Sequence, residues 1–271
     1  MASAKLVFTE IQDLRGGGMA RLTLALDSEG RQVVVRRLLA SKLLKGRDRK
    51  GFVKGTRIRE MLSPDPHIVN SFECGRRGVL PYEIIEFISG RDIKAMLHDD
   101  RAYVQANAYD ICRQCAMALA YLHERGIMHL DVKPENFLVD ESGTGLQVKV
   151  TDFDLSMKVT GAPRRVRNQG GTRAYLAPEV MRNGEVSQAA DVFAYGVMAY
   201  LLTTGRMPFQ DGKERKARWK QMSESYKVKP PREYVPDLMP KIEQVILRCL
   251  EKRPQHRYPN MILLCRDLGL R

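Results

Sequence analysis

The sequence predicts an α+β chain in two lobes, a small β-rich one followed by a larger α-helical one. Strand-forming runs broken by glycine turns fill the first third. From Ser89 onward, apolar residues recur at three- and four-residue spacing. The 271 residues, 44% hydrophobic and 28% charged, have the composition of an ordinary globular chain long enough to bury a sizeable core. There is no internal repeat, low-complexity tract or long flexible linker, so a single domain is expected over residues 1–271, with the first lobe over 1–86 and the second over 87–271.

LVFTEIQDL, MARLTLAL and RQVVVRRLL read as an antiparallel meander, broken by Gly16, Gly17 and Gly18 and by the turn from Ser28 to Gly30. SKLLKGRDRKGFVKGTRIREML turns helical in its later part, and DPHIV and VLPYEIIEFI read as further strands. AYVQANAYDICRQCAMALAYLHERG, DVFAYGVMAYLLTTG and PKIEQVILRCLEKR read as helices. The most apolar stretch falls short of the ~20 residues a membrane span needs, and the first ten residues do not read as a signal peptide. A sparse, odd set of five cysteines points to a reducing, cytoplasmic setting. Cys112 and Cys115 form a C-x-x-C, but it lies inside a helical pattern with no second Cys or His pair, which favours core packing over zinc.

Charge is the departure from the ordinary. The excess is +13, which suits anionic partners. Ten basic residues lie between Arg36 and Arg59 against the single acid Asp48. Lys158, Arg164, Arg165, Arg167 and Arg173 follow between Asp154 and Glu179 with no acid among them, and KERKARWK surrounds the only tryptophan, Trp219. Each run reads as a solvated face, and the middle one alternatively as a surface for an acidic substrate or partner. No nucleic-acid motif accompanies them.

Three segments carry chemistry: His129-Leu130-Asp131-Val132-Lys133-Pro134-Glu135-Asn136, Asp152-Phe153-Asp154, and Gly171-Thr172-Arg173-Ala174-Tyr175-Leu176-Ala177-Pro178-Glu179. Singly, Asp131 and Asn136 read better as turn and cap residues and Asp152 as a strand-end turn. In this order and spacing the segments resemble the catalytic loop, metal-binding loop and A-P-E segment of eukaryotic-type protein kinases. The resemblance covers essentially the whole chain. It implies a bilobal kinase fold and transfer of the γ-phosphoryl of ATP, with Mg2+, to a protein hydroxyl. Lys133 and Thr172 follow the serine/threonine pattern of that family.

By the same resemblance, Asp131 orients the hydroxyl and accepts its proton, Lys133 stabilises the γ-phosphate, and Asn136 and Asp152 are the magnesium ligands. Leu22 and Val34 lie above the adenine and Leu138 below it, with the Glu86 carbonyl and Ile88 amide at the hinge and Ile85 behind. Each of these apolar residues also reads as plain core. His129, Asp191 and the pair Glu179 and Arg257 are implied to be scaffold.

The small-lobe pattern departs from the family's. In RGGGMARL only Gly17 keeps a place of the G-x-G-x-x-G loop, and a simple hairpin turn is the alternative. Arg36 stands where V-A-I-K has its lysine, and the helical glutamate that should pair with it is missing: Gly55, Thr56, Arg57 and Ile58 cover its registers. Glu60, one turn on, is expected to face solvent. Leu130 replaces the Arg of H-R-D and Asp154 the Gly of D-F-G, the latter a permissive change. The leading expectation is an ATP- and magnesium-dependent serine/threonine protein kinase, the alternative a pseudokinase scaffold with weak or no transfer. Kinases of small molecules share H-x-D-x-x-x-x-N but lack K-P-E-N and A-P-E. The sequence leaves the oligomeric state open.

Overall fold

The computed structural model describes residues 8–14, 18–143, 145–159, 164–166, 171–209 and 214–270. Its contacts divide the chain into two compact units. One runs to Ser89 and includes Thr151–Ser156; the other comprises Gly90–Val150 and Met157–Arg271. The border thus falls slightly beyond the expected 86/87, and the segment bearing Asp152 belongs with the first unit.

The first unit contains β1 (Phe8–Leu14), β2 (Ala20–Asp27), β3 (Gln32–Leu38), α1 (Ala40–Leu43), α2 (Gly46–Leu62), β4 (Ser71–Arg77) and β5 (Leu80–Glu86). The strands form one antiparallel sheet in the order β1-β2-β3-β5-β4. Side chains alternate between its faces. Ala25, Val33, Val35, Tyr82 and Ile84 form a buried cluster on one face, with Phe8 packed against it. On the other, strand register sets Leu22 opposite Arg36, Leu24 opposite Val34, Val34 opposite Ile85 and Arg36 opposite Glu83. Helix α2 buries Phe52, Gly55, Thr56, Ile58, Arg59 and Leu62, a stripe at three- and four-residue spacing.

The strand expected over DPHIV is not formed. Asp65 Oδ1 accepts from the His67 amide at 2.9 Å, and Asn70 Nδ2 donates to the Asp65 carbonyl at 3.1 Å, closing a turn. Ile68 and Val69 are buried within that turn, and the strand starts at Ser71.

The second unit begins with β6 (Gly90–Asp92), α3 (Ile93–Asp99), α4 (Arg101–Ala106), α5 (Ala108–Glu124) and β7 (Ile127–Met128). It continues with β8 (Phe137–Asp140), β9 (Gln147–Val150), β10 (Met157–Lys158), β11 (Arg164–Arg165), α6 (Pro178–Asn183) and β12 (Glu185–Val186). Helices α7 (Gln188–Thr204), α8 (Glu214–Met222), α9 (Pro240–Cys249) and α10 (Met261–Asp267) complete it. Helix α7 is buried almost all round, as a central core helix must be, and ends at Gly205, whose φ of 68° lets its amide reach the Leu201 carbonyl at 2.8 Å. α5 packs against α7 and α10. The helix expected across residues 102–126 breaks at Asn107, whose Nδ2 donates back to the Tyr103 carbonyl at 2.9 Å. Strands β6-β8-β9 form a small sheet, and β7 pairs with β10.

Cys112 and Cys115 are buried along α5, and burial pushes the Cys112 thiol up to about 12. Among the described residues no helix is long and apolar enough to cross a membrane.

Candidate active site

In the second unit the 129–136 loop is built from α7 upward. Asp191 is 1% exposed and accepts from the His129 amide (2.7 Å), the Leu130 amide (2.7 Å) and His123 Nε2 (3.0 Å). Those bonds hold Leu130 in left-handed backbone at φ 64°, which a non-glycine residue adopts only where its surroundings impose it. The turn brings Asp131 onto two side chains from its own loop. Lys133 Nζ donates to Asp131 Oδ2 at 2.8 Å. Asn136 Nδ2 spends one proton on the Asp131 carbonyl (2.7 Å) and the other on Asp131 Oδ2 (3.0 Å), which leaves Asn136 Oδ1 as an acceptor suited to a hard cation. Buried His129 accepts from the Asp131 amide through Nδ1 at 3.3 Å. It is a support, as is Arg257, which makes two bonds to Glu179 at 2.8 and 2.9 Å. A cavity of about 20 Å³ lined by Asp131, Thr172 and Tyr175 has room for one water-sized group.

In the first unit a buried charge cluster surrounds the other expected ligand. The Arg36 guanidinium is hydrogen-bonded to Asp154, lies 3.5 Å from Glu83 Oε2 and 3.8 Å from Asp152 Oδ1, and stacks on Phe52 at 4.5 Å. Burial disfavours its charge, but the carboxylates of Asp154, Asp152 and Glu83 outweigh that and raise its pKa above the usual arginine value. Burial pushes the Asp154 carboxyl up and Arg36 opposes it; with the two in direct contact, the ion pair is the form the geometry serves. Arg59, on the inner face of α2, puts Nε 3.0 Å from Glu83 Oε1 and donates through Nη1 to the Val69 carbonyl (3.0 Å) and Thr151 Oγ1 (3.2 Å). Burial lowers its pKa and Glu83 opposes that. Glu83 is 0% exposed, and its oxygens are paired by charge rather than by aligned hydrogen bonds. The Asp152 side chain, by contrast, is 42% exposed, and its contacts with Arg36 and the Asp154 amide leave carboxylate capacity for a cation.

Leu22, Val34 and Arg36 share the sheet face that also holds Ile85 and Glu83. Leu22 is half-buried, Val34 and Ile85 are buried, and Ile88 is buried beyond the end of β5. Glu86 Oε2 accepts from Asn70 N and Nδ2, both at 3.0 Å. Leu138, half-buried on β8, faces Asp92 of β6 and Lys149 of β9. Gly17, with Arg15 and Gly16, lies outside the described residues, as does Arg167.

Of the expected registers for the missing helical glutamate, Gly55, Thr56 and Ile58 point inward and Arg57 outward. Glu60 is exposed and accepts from the Cys74 thiol at 3.6 Å. Sequence reasoning did not single out Glu83 or Arg59. The signal for Glu83 was an acid inside the apolar run LPYEIIEF, at the position where strand pairing sets it across from Arg36.

A family model, the protein kinase domain, matches residues 8–267. The chain belongs to the protein kinase family. Among curated kinases, a probable serine/threonine-protein kinase of Corynebacterium efficiens is 32% identical over 94% of this chain and 39% of its own length. Serine/threonine-protein kinase PknB of Mycolicibacterium smegmatis is 28% identical over 96% of this chain and 42% of its own. PrkC of Bacillus subtilis is 29% identical over 90% and 37%. The chain therefore spans about two fifths of the length of these kinases.

The kinase family uses ATP and Mg2+ generally. Among the described residues no three His, Cys, Asp or Glu gather as a metal cluster. Magnesium in kinases needs only one or two protein oxygens beside phosphate and water. Asn136 Oδ1 in the second unit and the Asp152 carboxylate in the first are each oxygen donors of that hard type.

Proposed function

We propose that this chain is a serine/threonine protein kinase, transferring the γ-phosphoryl of ATP to a protein hydroxyl. The observation that carries the reading is the Asp131 carboxylate, held by Lys133 and Asn136 on a loop that Asp191 fixes from the core. Phosphoryl transfer demands little covalent help from the protein beyond an oriented nucleophile and nearby positive charge.

Asp131 accepts a hydrogen bond from the acceptor hydroxyl and takes its proton as that oxygen bonds to the γ-phosphorus and the bond to the β-phosphate oxygen breaks. Lys133, fixed on Asp131 Oδ2, brings an ammonium to the charge building on the transferred group. Asn136 and Asp152 would hold magnesium, which would supply neutralisation of the phosphate charge. In the first unit Leu22 and Val34 pack on the adenine, with the Glu86 carbonyl and Ile88 amide as its hydrogen-bonding edge; in the second, Leu138 offers an apolar surface. The exposed Lys158, Arg165 and Arg173 favour acidic residues around the acceptor. The free cysteines suit a cytoplasmic setting.

Incubation with radiolabelled ATP, magnesium and a library of acidic-flanked Ser/Thr peptides tests the reading. Wild type labels peptide, and Asp131→Ala lowers the rate by at least about a hundredfold, the scale of a lost general base. Equal absence of label from both proteins overturns it in favour of a scaffold.

A further inference from the structure

The first unit contains an arrangement that the missing helical glutamate does not foreshadow. Two buried guanidiniums, Arg36 from β3 and Arg59 from α2, converge on one buried carboxylate, Glu83 of β5. Each then reaches the segment that carries Asp152. Arg59 donates to Thr151 Oγ1 and lies over the Phe153 ring at 5.0 Å, while Arg36 bonds to Asp154. Residues 151, 153 and 154 are thus gripped, and the Asp152 carboxylate is the one left exposed, on left-handed backbone at φ 61°.

We propose that Glu83 is a positioning residue for the metal-binding carboxylate: by pairing with both Arg36 and Arg59 it holds the two guanidiniums that grip the side chains of Thr151, Phe153 and Asp154 around Asp152. This rests on the phosphoryl-transfer reading above, which makes Asp152 a magnesium ligand.

A carboxylate with no exposure is costly to keep charged unless cations face it, and here two do. Arg36 and Glu83 are cross-strand partners, so their approach is set by sheet register. Without Glu83 two positive charges would crowd the same space, and each weakens the other's hold on the segment; the field of Arg36 already opposes the charge of Arg59. The helix contributes the cation and the strand the anion, a swap of polarity that accounts for α2 lacking an inward acid.

The test is ATP binding by calorimetry with magnesium and with EDTA, on wild type, Glu83→Gln, Glu83→Asp and the double variant Glu83→Leu/Arg59→Met. Wild type should bind ATP more tightly with magnesium. In Glu83→Gln that metal-dependent gain should fall roughly ten- to hundredfold, the usual effect of removing a residue that orients a metal ligand, while affinity in EDTA changes little. Glu83→Asp should recover part of the gain. If Glu83→Gln fails to fold, the double variant decides, since removing both partners leaves no unpaired buried charge between them. A full metal-dependent gain in the folded variants, no gain in wild type, or failure of the double variant to fold each overturns the proposal. Peptide labelling is read separately. If wild type transfers no label, the kinase reading falls while the magnesium-dependent binding still decides the role of Glu83.

Discussion

Lys252 is a buried lysine, 7% exposed, with no carboxylate at ion-pair distance among the described residues. Its Nζ donates to the Lys220 carbonyl at 3.0 Å and lies 3.9 Å from the centre of the Phe209 ring. Burial, with Arg257, Arg182 and Lys227 adding repulsion and Glu251 opposing them, lowers its pKa to about 7. Between pH 7 and the ordinary lysine value near 10.4, the unfolded chain therefore binds a proton there that the folded chain does not. Stability contributed at this site rises with pH across that window, by at most about 1.4 kcal/mol per pH unit, and is flat below it. Denaturant titrations of wild type and Lys252→Met at pH 6, 7.5 and 9 should show the difference moving in favour of wild type as pH rises. A difference independent of pH would show that the Phe209 ring and the Lys220 carbonyl keep Lys252 charged throughout.

At the scale of elements, helix α2 and the Asp152–Asp154 segment meet through a glycine. A Cβ on Gly55 would lie 2.7 Å from Asp154 Oδ1, 2.8 Å from the Phe153 carbonyl carbon and 2.9 Å from the Asp154 amide, and the last two are backbone atoms with little freedom to retreat. Gly55→Ala should therefore destabilise the protein by about 1–3 kcal/mol despite alanine's better helix propensity, whereas an exposed change such as Arg57→Ala should cost almost nothing. Chemical denaturation of the two variants checks this; a Gly55→Ala variant as stable as wild type would mean that α2 moves away freely. The contact also shows what the sequence could and could not reveal. Asp131, Asn136 and Asp152 stand in contiguous loops with fixed spacing, so the pattern was readable without coordinates. Glu83 meets Arg36 only through strand pairing, and Arg59 lay inside a basic run in which inward and outward positions look alike until the helix phase is known. Local hydrogen bonding explains the two elements that depart from the pattern: Asp65 and Asn70 close a turn where Ile68 and Val69 suggest a strand, and Asn107 interrupts a continuous helical period.

For the molecule as a whole, the +13 excess divides into charges with different uses. In the run from Arg36 to Arg59, those two residues are buried against carboxylates, whereas Arg47, Arg49, Lys50 and Arg57 are exposed. In the second unit Lys158, Arg165 and Arg173 are exposed, and so is Trp219, whose ring meets Tyr226 edge-on at 6.5 Å. Salt separates the two kinds of charge. Raising ionic strength from 0.1 M to 1 M shortens the screening length from about 10 Å to about 3 Å, which weakens attraction between exposed charges and hardly touches buried pairs. The KM for an acidic-flanked peptide should therefore rise with salt while that for a neutral-flanked peptide with the same acceptor stays nearly constant, and kcat should change little for either. Replacing Lys158 and Arg165 together by alanine should reproduce the loss at low salt, because their contribution is long-range attraction rather than a fitted contact. Steady-state kinetics at several salt concentrations gives the answer. Equal salt dependence for the two peptides would assign the basic residues to a solvated surface with no part in choosing the substrate.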